Sequence, residues 1–140
     1  MAVIQFGMAP LQEGRCTRAH PLTIALSSLM QEEFAGVNHE RLIVAGLDAG
    51  QRLLSFITSR GFDLGVDGAL ITARKAMASE RVRCLVMAHN HPCGTAAPSQ
   101  ADIAVTRRIA ALARLGDVEL VDHLIIAGDQ IVSFRALGLL

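Results

Sequence analysis

The residues that could do chemistry sit in one short stretch, His89-Asn90-His91-Pro92, followed by Ser99 and Asp102. The two histidines are two apart at the end of an expected strand, and side chains at i and i+2 of a strand point to the same side. Two imidazoles placed in this way can meet one metal ion. Pro92 has no N–H and ends the ladder, leaving the pair at the end of the sheet, where a ligand can approach. Asp102 falls in the first turn of the next expected helix, and the intervening loop is long enough to bring it back beside the histidines. Two His and one Asp give three protein ligands and leave a position open, the arrangement of a catalytic rather than a structural zinc site. Water in that position acidifies to a pKa of roughly 7 and becomes a nucleophile. Such a site also needs a carboxylate beside the metal to take a proton. Six glutamates are available, and spacing alone does not choose among them.

Each element of this pattern also has a plainer explanation. Ser99 with Asp102 is an N-cap followed by an acidic third position, which supports a helix whatever the function. An isolated His-x-His arises often in loops. Two His and one carboxylate also describe a non-haem iron triad. A zinc deaminase is disfavoured: His91 stands where that pattern needs Glu, and Pro92-Cys93 lacks the second Cys.

The elements that must position these residues can be read from periodicity. The first 20 residues are punctuated by Gly7, Pro10 and Gly14 and read as an irregular arm. From Pro21 the pattern is helical, with Leu22, Leu26, Leu29, Met30 and Phe34 on one face and Gly36 as the stop. Residues 41–47 suit a buried strand, Asp48-Ala49-Gly50 a turn, and 52–57 the returning strand. Gly61, Gly65 and Gly68 read as a loop, and 69–79 as a helix. The run Cys84-Leu85-Val86-Met87-Ala88 reads as a central strand covered on both faces. A helix is expected from Ser99, ending at Gly116, and then strands over 118–127 and 130–134 joined at Gly128-Asp129. The order α, β, β, α, β, α, β, β gives a mixed sheet with helices packed on it, an α/β (α+β) fold.

The joint pattern resembles a known family. HNHPCGTAAPSQAD is similar to the JAMM metalloprotease motif of MPN domains, Glu…His-x-His-Pro-x6-Ser-x-x-Asp. The wording AHNHP…PS-x-x-D…LVDHLIIAGD…VSF most resembles the bacterial RadC branch. The resemblance divides the chain into the arm, 1–20, and a RadC-like JAB/MPN domain, 21–140. It implies the MPN or cytidine-deaminase-like α-β-α fold, and Zn²⁺ held by His89, His91 and Asp102. Family members mark the general base by Glu-x7-Asp, a spacing kept by Glu40 and Asp48. By resemblance, then, Glu40 is the base and Ser99 a hydrogen-bond donor to the oxyanion. The implied reaction is hydrolysis of a peptide or isopeptide bond. The alternative is a non-catalytic module, associated with DNA repair or with protein interaction.

The chain departs from the family at residues 62–74, although the spacing from Arg60-Gly61 to the histidines is kept. The helix-hairpin-helix module of many members is not expected within these residues, so DNA contacts of that module are not carried over. Cys93 stands where such sequences have Ser. His123 matches a family feature and is expected to be a satisfied strand histidine. Asn90 should project opposite the histidines and fix the loop. His20 and His39 are expected at the surface, Cys84 and Met87 in the core. The apolar tail of Leu137, Leu139 and Leu140 suits either docking on the domain or a dimer contact.

Composition bounds the partners. The 140 residues are 51% hydrophobic and 19% charged, enough for one domain with a real core. Thirteen basic and thirteen acidic side chains cancel, and Trp and Tyr are absent, which disfavours direct DNA binding. The expected partners are a peptide or protein substrate and a homodimer mate or partner protein. No apolar run approaches a membrane span, MAVIQFGMAP lacks the features of a signal peptide, and three cysteines without a CxxC pair suit the cytoplasm.

Overall fold

A computed structural model describes residues 3–4, 21–59 and 65–140. Among the described residues six strands form one mixed sheet in the order β1-β6-β5-β4-β2-β3, with three helices against it. The elements in chain order are β1 (Val3–Ile4), α1 (Pro21–Phe34), β2 (Leu42–Leu47), β3 (Leu53–Thr58), α2 (Gly65–Ala76), β4 (Cys84–Asn90), α3 (Gln100–Leu115), β5 (Glu119–Ala127) and β6 (Gln130–Ser133). The β1–β6 and β4–β5 pairs are parallel, and the other pairs are antiparallel. Of the arm expected over 1–20, only Val3–Ile4 is described, as a short strand along β6. The expectations for Cys16 and His20 lie outside the described residues.

Alternation along the strands builds two cores, one on each side of the sheet. Leu42 and Val44 of β2 and Leu85 and Met87 of β4 face α2 and α3, meeting Ala69, Ala73, Val105 and Ile109. Ile43, Ala45, Val86 and Ala88 face the other way and pack under Leu22, Leu26, Met30 and Phe34 of α1. This is the expected α-β-α layering. The central β4 is buried on both faces, as a continuous apolar run requires. Each Leu, Ile, Val, Met or Phe side chain so removed from water contributes about 1.5–3 kcal/mol before chain entropy is counted. Of the apolar tail, Leu139 packs against a third cluster containing Phe134 and Ile125, while Leu140 is exposed.

Two details differ from the sequence reading. On α1, Leu29 is exposed, while Thr23 and Ser27 are buried. Thr23 Oγ1 donates to Asp122 Oδ2 at 3.2 Å, so a polar residue occupies the inner face where a carboxylate receives it. Helix α2 begins at Gly65, so Gly65 and Gly68 belong to a helix rather than a loop, and the helix stops at Ala76, short of 79. Gly65 starts it at φ +55°, a conformation open to glycine, and Asp67 lies in the first turn, where the helix dipole favours a carboxylate.

Candidate metal centre

Strand β4 carries the first two groups of the site. His89 is its sixth residue, and His91 continues the ladder one step further, its N–H donating to the Ile126 carbonyl at 2.9 Å. The two rings therefore share a face, the one turned toward α3, and their Nε2 atoms lie 2.8 Å apart. Asn90, between them, turns to the opposite face, as expected. It accepts from the Arg41 N–H at 2.7 Å and donates to the His39 carbonyl at 2.9 Å.

Asp102 comes from the start of α3. Ser99 is the N-cap: its Oγ accepts from the Asp102 N–H at 3.0 Å, and its own N–H donates to Asp102 Oδ2 at 2.8 Å. This reciprocal box fixes the Asp102 rotamer and turns the carboxylate back toward β4. Asp102 Oδ1 lies 3.2 Å from His89 Nε2, and Oδ2 lies 3.4 Å from His91 Nε2. One donor atom from each residue falls within 4.8 Å of the others.

The spacing fits a small divalent ion. Ligands bonded at the length usual for zinc stand about 3.3 Å apart on the edges of a tetrahedron. The two Nε2 atoms are 2.8 Å apart, and the carboxylate approaches them at 3.2 Å through Oδ1 and 3.4 Å through Oδ2, near that edge. The chemistry of the donors fits as well. His91 Nδ1 lies 2.8 Å from the Thr95 carbonyl, which can only accept, so Nδ1 carries the proton and Nε2 presents a lone pair to the cluster. Burial alone would raise the Asp102 pKa. Hydrogen bonding to His89, the charge of His89 and the Ser99 groups outweigh it and hold the carboxyl well below its usual range, ionised and ready to ligate.

His89 is fully buried, and behind it lies His123 of β5, also fully buried. His89 Nδ1 is 2.6 Å from His123 Nε2, and His123 Nδ1 is 2.6 Å from Thr106 Oγ1 on α3. His123 is thus the satisfied strand histidine that was expected. Burial, then the neighbouring charge of His89, pushes its pKa well below the ordinary imidazole value. Thr106 was not anticipated; no pattern in the sequence links it to a residue on another element.

Glu40 and Ser99 lie outside the donor cluster, and both are exposed. Glu40 precedes β2 by two residues, and Leu42 of β2 pairs with His89. Continuing that antiparallel register brings Glu40 opposite His91. The two peptide groups gripped by Asn90 flank Glu40 on either side. A cleft of about 620 Å³ runs from His91, Pro92 and Gly94 past Asn90 to Gln31, Phe34 and Gly36 at the C-terminal end of α1. Cys93 is exposed in the loop between the ligands. His39 is exposed and Met87 buried as expected, whereas Cys84 is only half-buried.

Comparison with known proteins agrees with this architecture. A UPF0758 protein from Methylibium petroleiphilum is 35% identical over 119 residues, covering 83% of this chain and 53% of its own length. One from Pseudoalteromonas translucida is 31% identical over 144 residues, covering 99% of this chain and 63% of its own. A third, from Bordetella parapertussis, reaches 57% identity over 54 residues, or 39% of this chain and 24% of the relative. The chain spans about half the length of the first two curated relatives it matches, 53% and 55%. The family model described as the RadC-like JAB domain matches residues 23–139, and the chain belongs to that family.

Proposed function

We propose that this domain is a zinc-dependent hydrolase of peptide or isopeptide bonds. The observation that carries the reading is the convergence of His89 Nε2, His91 Nε2 and the Asp102 carboxylate at the end of β4, beside an open cleft. His89, His91 and Asp102 would hold the ion. When bound, zinc supplies Lewis-acid polarisation of the scissile carbonyl and acidifies water.

The chain's own groups do the rest. The Glu40 carboxylate removes a proton from the attacking water as its oxygen bonds to the carbonyl carbon. The same carboxyl then returns that proton to the leaving nitrogen as the C–N bond breaks. Ser99 accepts from the Asp102 N–H, and its own hydroxyl hydrogen remains to donate to the carbonyl oxygen as negative charge builds there. The cap and the oxyanion contact are therefore compatible in one side chain. Asn90 holds the peptides around Glu40, which keeps the base in register with the ligands.

The cleft beside His91 is a place for a peptide chain to lie. Zero net charge and the lack of Trp and Tyr support a protein substrate over DNA. Among the described residues no helix is long and apolar enough to cross a membrane, and the cysteine usage supports a cytoplasmic setting.

The test is Glu40→Gln, assayed on a panel of peptide and isopeptide substrates. The variant should keep its zinc and lose hydrolysis. Activity equal to wild type would remove Glu40 as the base, and a wild type that holds zinc but cleaves nothing would favour the non-catalytic reading.

A further inference from the structure

We propose that Thr106 and His123 are positioning residues, a buried relay that holds the His89 ring with its proton on Nδ1 and its Nε2 lone pair aimed at the metal position. The proposal rests on the metal-centre reading above and assigns work to two residues outside the ligand set.

Each hydrogen along the relay has one place to go. The relay ends on the main-chain carbonyl of Asp102, which can only accept. Thr106 Oγ1 lies 2.6 Å from it and must donate its single hydrogen there. The same oxygen can therefore only accept from His123 Nδ1, 2.6 Å away on its other side. His123 is fully buried, where an uncompensated imidazolium is costly, so the ring is neutral and carries one N–H. With that proton on Nδ1, His123 Nε2 is an acceptor. Its neighbour at 2.6 Å, His89 Nδ1, must donate to it. His89 Nδ1 thus keeps its hydrogen, and once Nε2 gives up any proton it shares with Asp102, that atom turns its lone pair toward His91 and Asp102.

The relay closes on itself. Asp102 presents its side chain to the metal position and, through its main chain, sets the tautomer of its fellow ligand. Thr106 stands one helical turn after Asp102, so the start of α3 fixes both. The His123 ring is also held sideways, against Phe134, with ring centres 4.5 Å apart. A packing role alone would need the shape of these side chains. The relay needs the Thr106 oxygen.

The substitution that separates the two roles is Thr106→Val, which keeps the shape and removes the acceptor. Thr106→Ser keeps the hydroxyl and trims a methyl. Two readouts apply. The first is ring-nitrogen NMR of zinc-free wild type at about pH 8, above the ordinary imidazole range. It should find the proton on Nδ1 of His89 and of His123. The second is zinc affinity by competition with a chelator. Thr106→Val should bind zinc about 10–100-fold more weakly, the usual effect of losing a group that orients a ligand, and Thr106→Ser should restore wild-type affinity. A His89 ring with no proton on Nδ1 would overturn the relay, as would wild-type affinity in a folded Thr106→Val. If that variant does not fold, the wild-type NMR measurement decides alone. A failure of the metal reading looks different: wild type itself would take up no zinc, while the tautomers remain readable.

Discussion

Replacing Asn90 by Ala tests whether the base is held from the far side of the sheet. Asn90 is 3% exposed and its side chain faces away from both histidines, so its loss leaves the donor atoms of the site where they are. It removes two hydrogen bonds, at 2.7 and 2.9 Å, that clamp the peptides flanking Glu40. Those backbone groups lie at a strand end where water can partly replace the amide. Each bond therefore counts near the middle of the usual range, about 1 kcal/mol, giving a loss of about 2 kcal/mol. For a domain of this size that lowers Tm by about 7 °C. Freed of the clamp, Glu40 can drift by about 1 Å, enough to cost on the order of 10²-fold in kcat. The assay is a set of three: urea unfolding, zinc content and turnover on a cleaved substrate. The expected result is a modest loss of stability, full zinc and a large loss of kcat. Wild-type turnover in a destabilised Asn90→Ala would refute the clamp, and loss of zinc would refute the separation of the two faces.

Two further perturbations follow from the packing. In Gly46→Ala the new methyl would overlap Ser55 Oγ and come within 2.5 Å of the Ala76 carbonyl, which Ser55 itself bonds at 2.7 Å. Since backbone must move, the loss should be about 2–3 kcal/mol in urea unfolding, and a change below about 0.5 kcal/mol would contradict the close approach of α2 to β2. In the zinc-free protein, stability should fall as pH drops below about 6.5, because unfolded His123 binds a proton there and folded His123, its pKa depressed by burial, does not. Its share of the slope approaches about 1.4 kcal/mol per pH unit, and urea midpoints that stay level between about pH 7.5 and 5.5 would contradict the buried neutral ring.

The His-His-Asp cluster was legible because it is local. His89, His91 and Asp102 lie within fourteen consecutive residues, joined by strand alternation and a capping box, and both rules act at short range. The layering was legible for a similar reason: β4 reads as a run of apolar residues, and α1 shows Leu22, Leu26, Met30 and Phe34 at helical spacing. What escaped depends on contacts between distant segments. Thr23 looks like a solvent-facing residue until Asp122, 99 positions away, arrives to accept from it. Thr106 is an unremarked helix residue until α3 packs on β5 and sets it against His123. Gly65 and Gly68 suggested a loop because glycine is costly inside a helix, and the packing of α2 against the sheet outweighed that cost. The role proposed for Glu40 came only through resemblance. Nothing local marks it among the glutamates, and its relation to His91 emerges from the β2–β4 register.

The most direct test of the central claim is the zinc content per chain, by elemental analysis, of wild type and of a His89→Ala, His91→Ala double variant. The expected result is close to one zinc per wild-type chain and none in the variant. A wild type that remains free of metal after reconstitution with zinc would contradict the metal centre and the hydrolytic chemistry built on it.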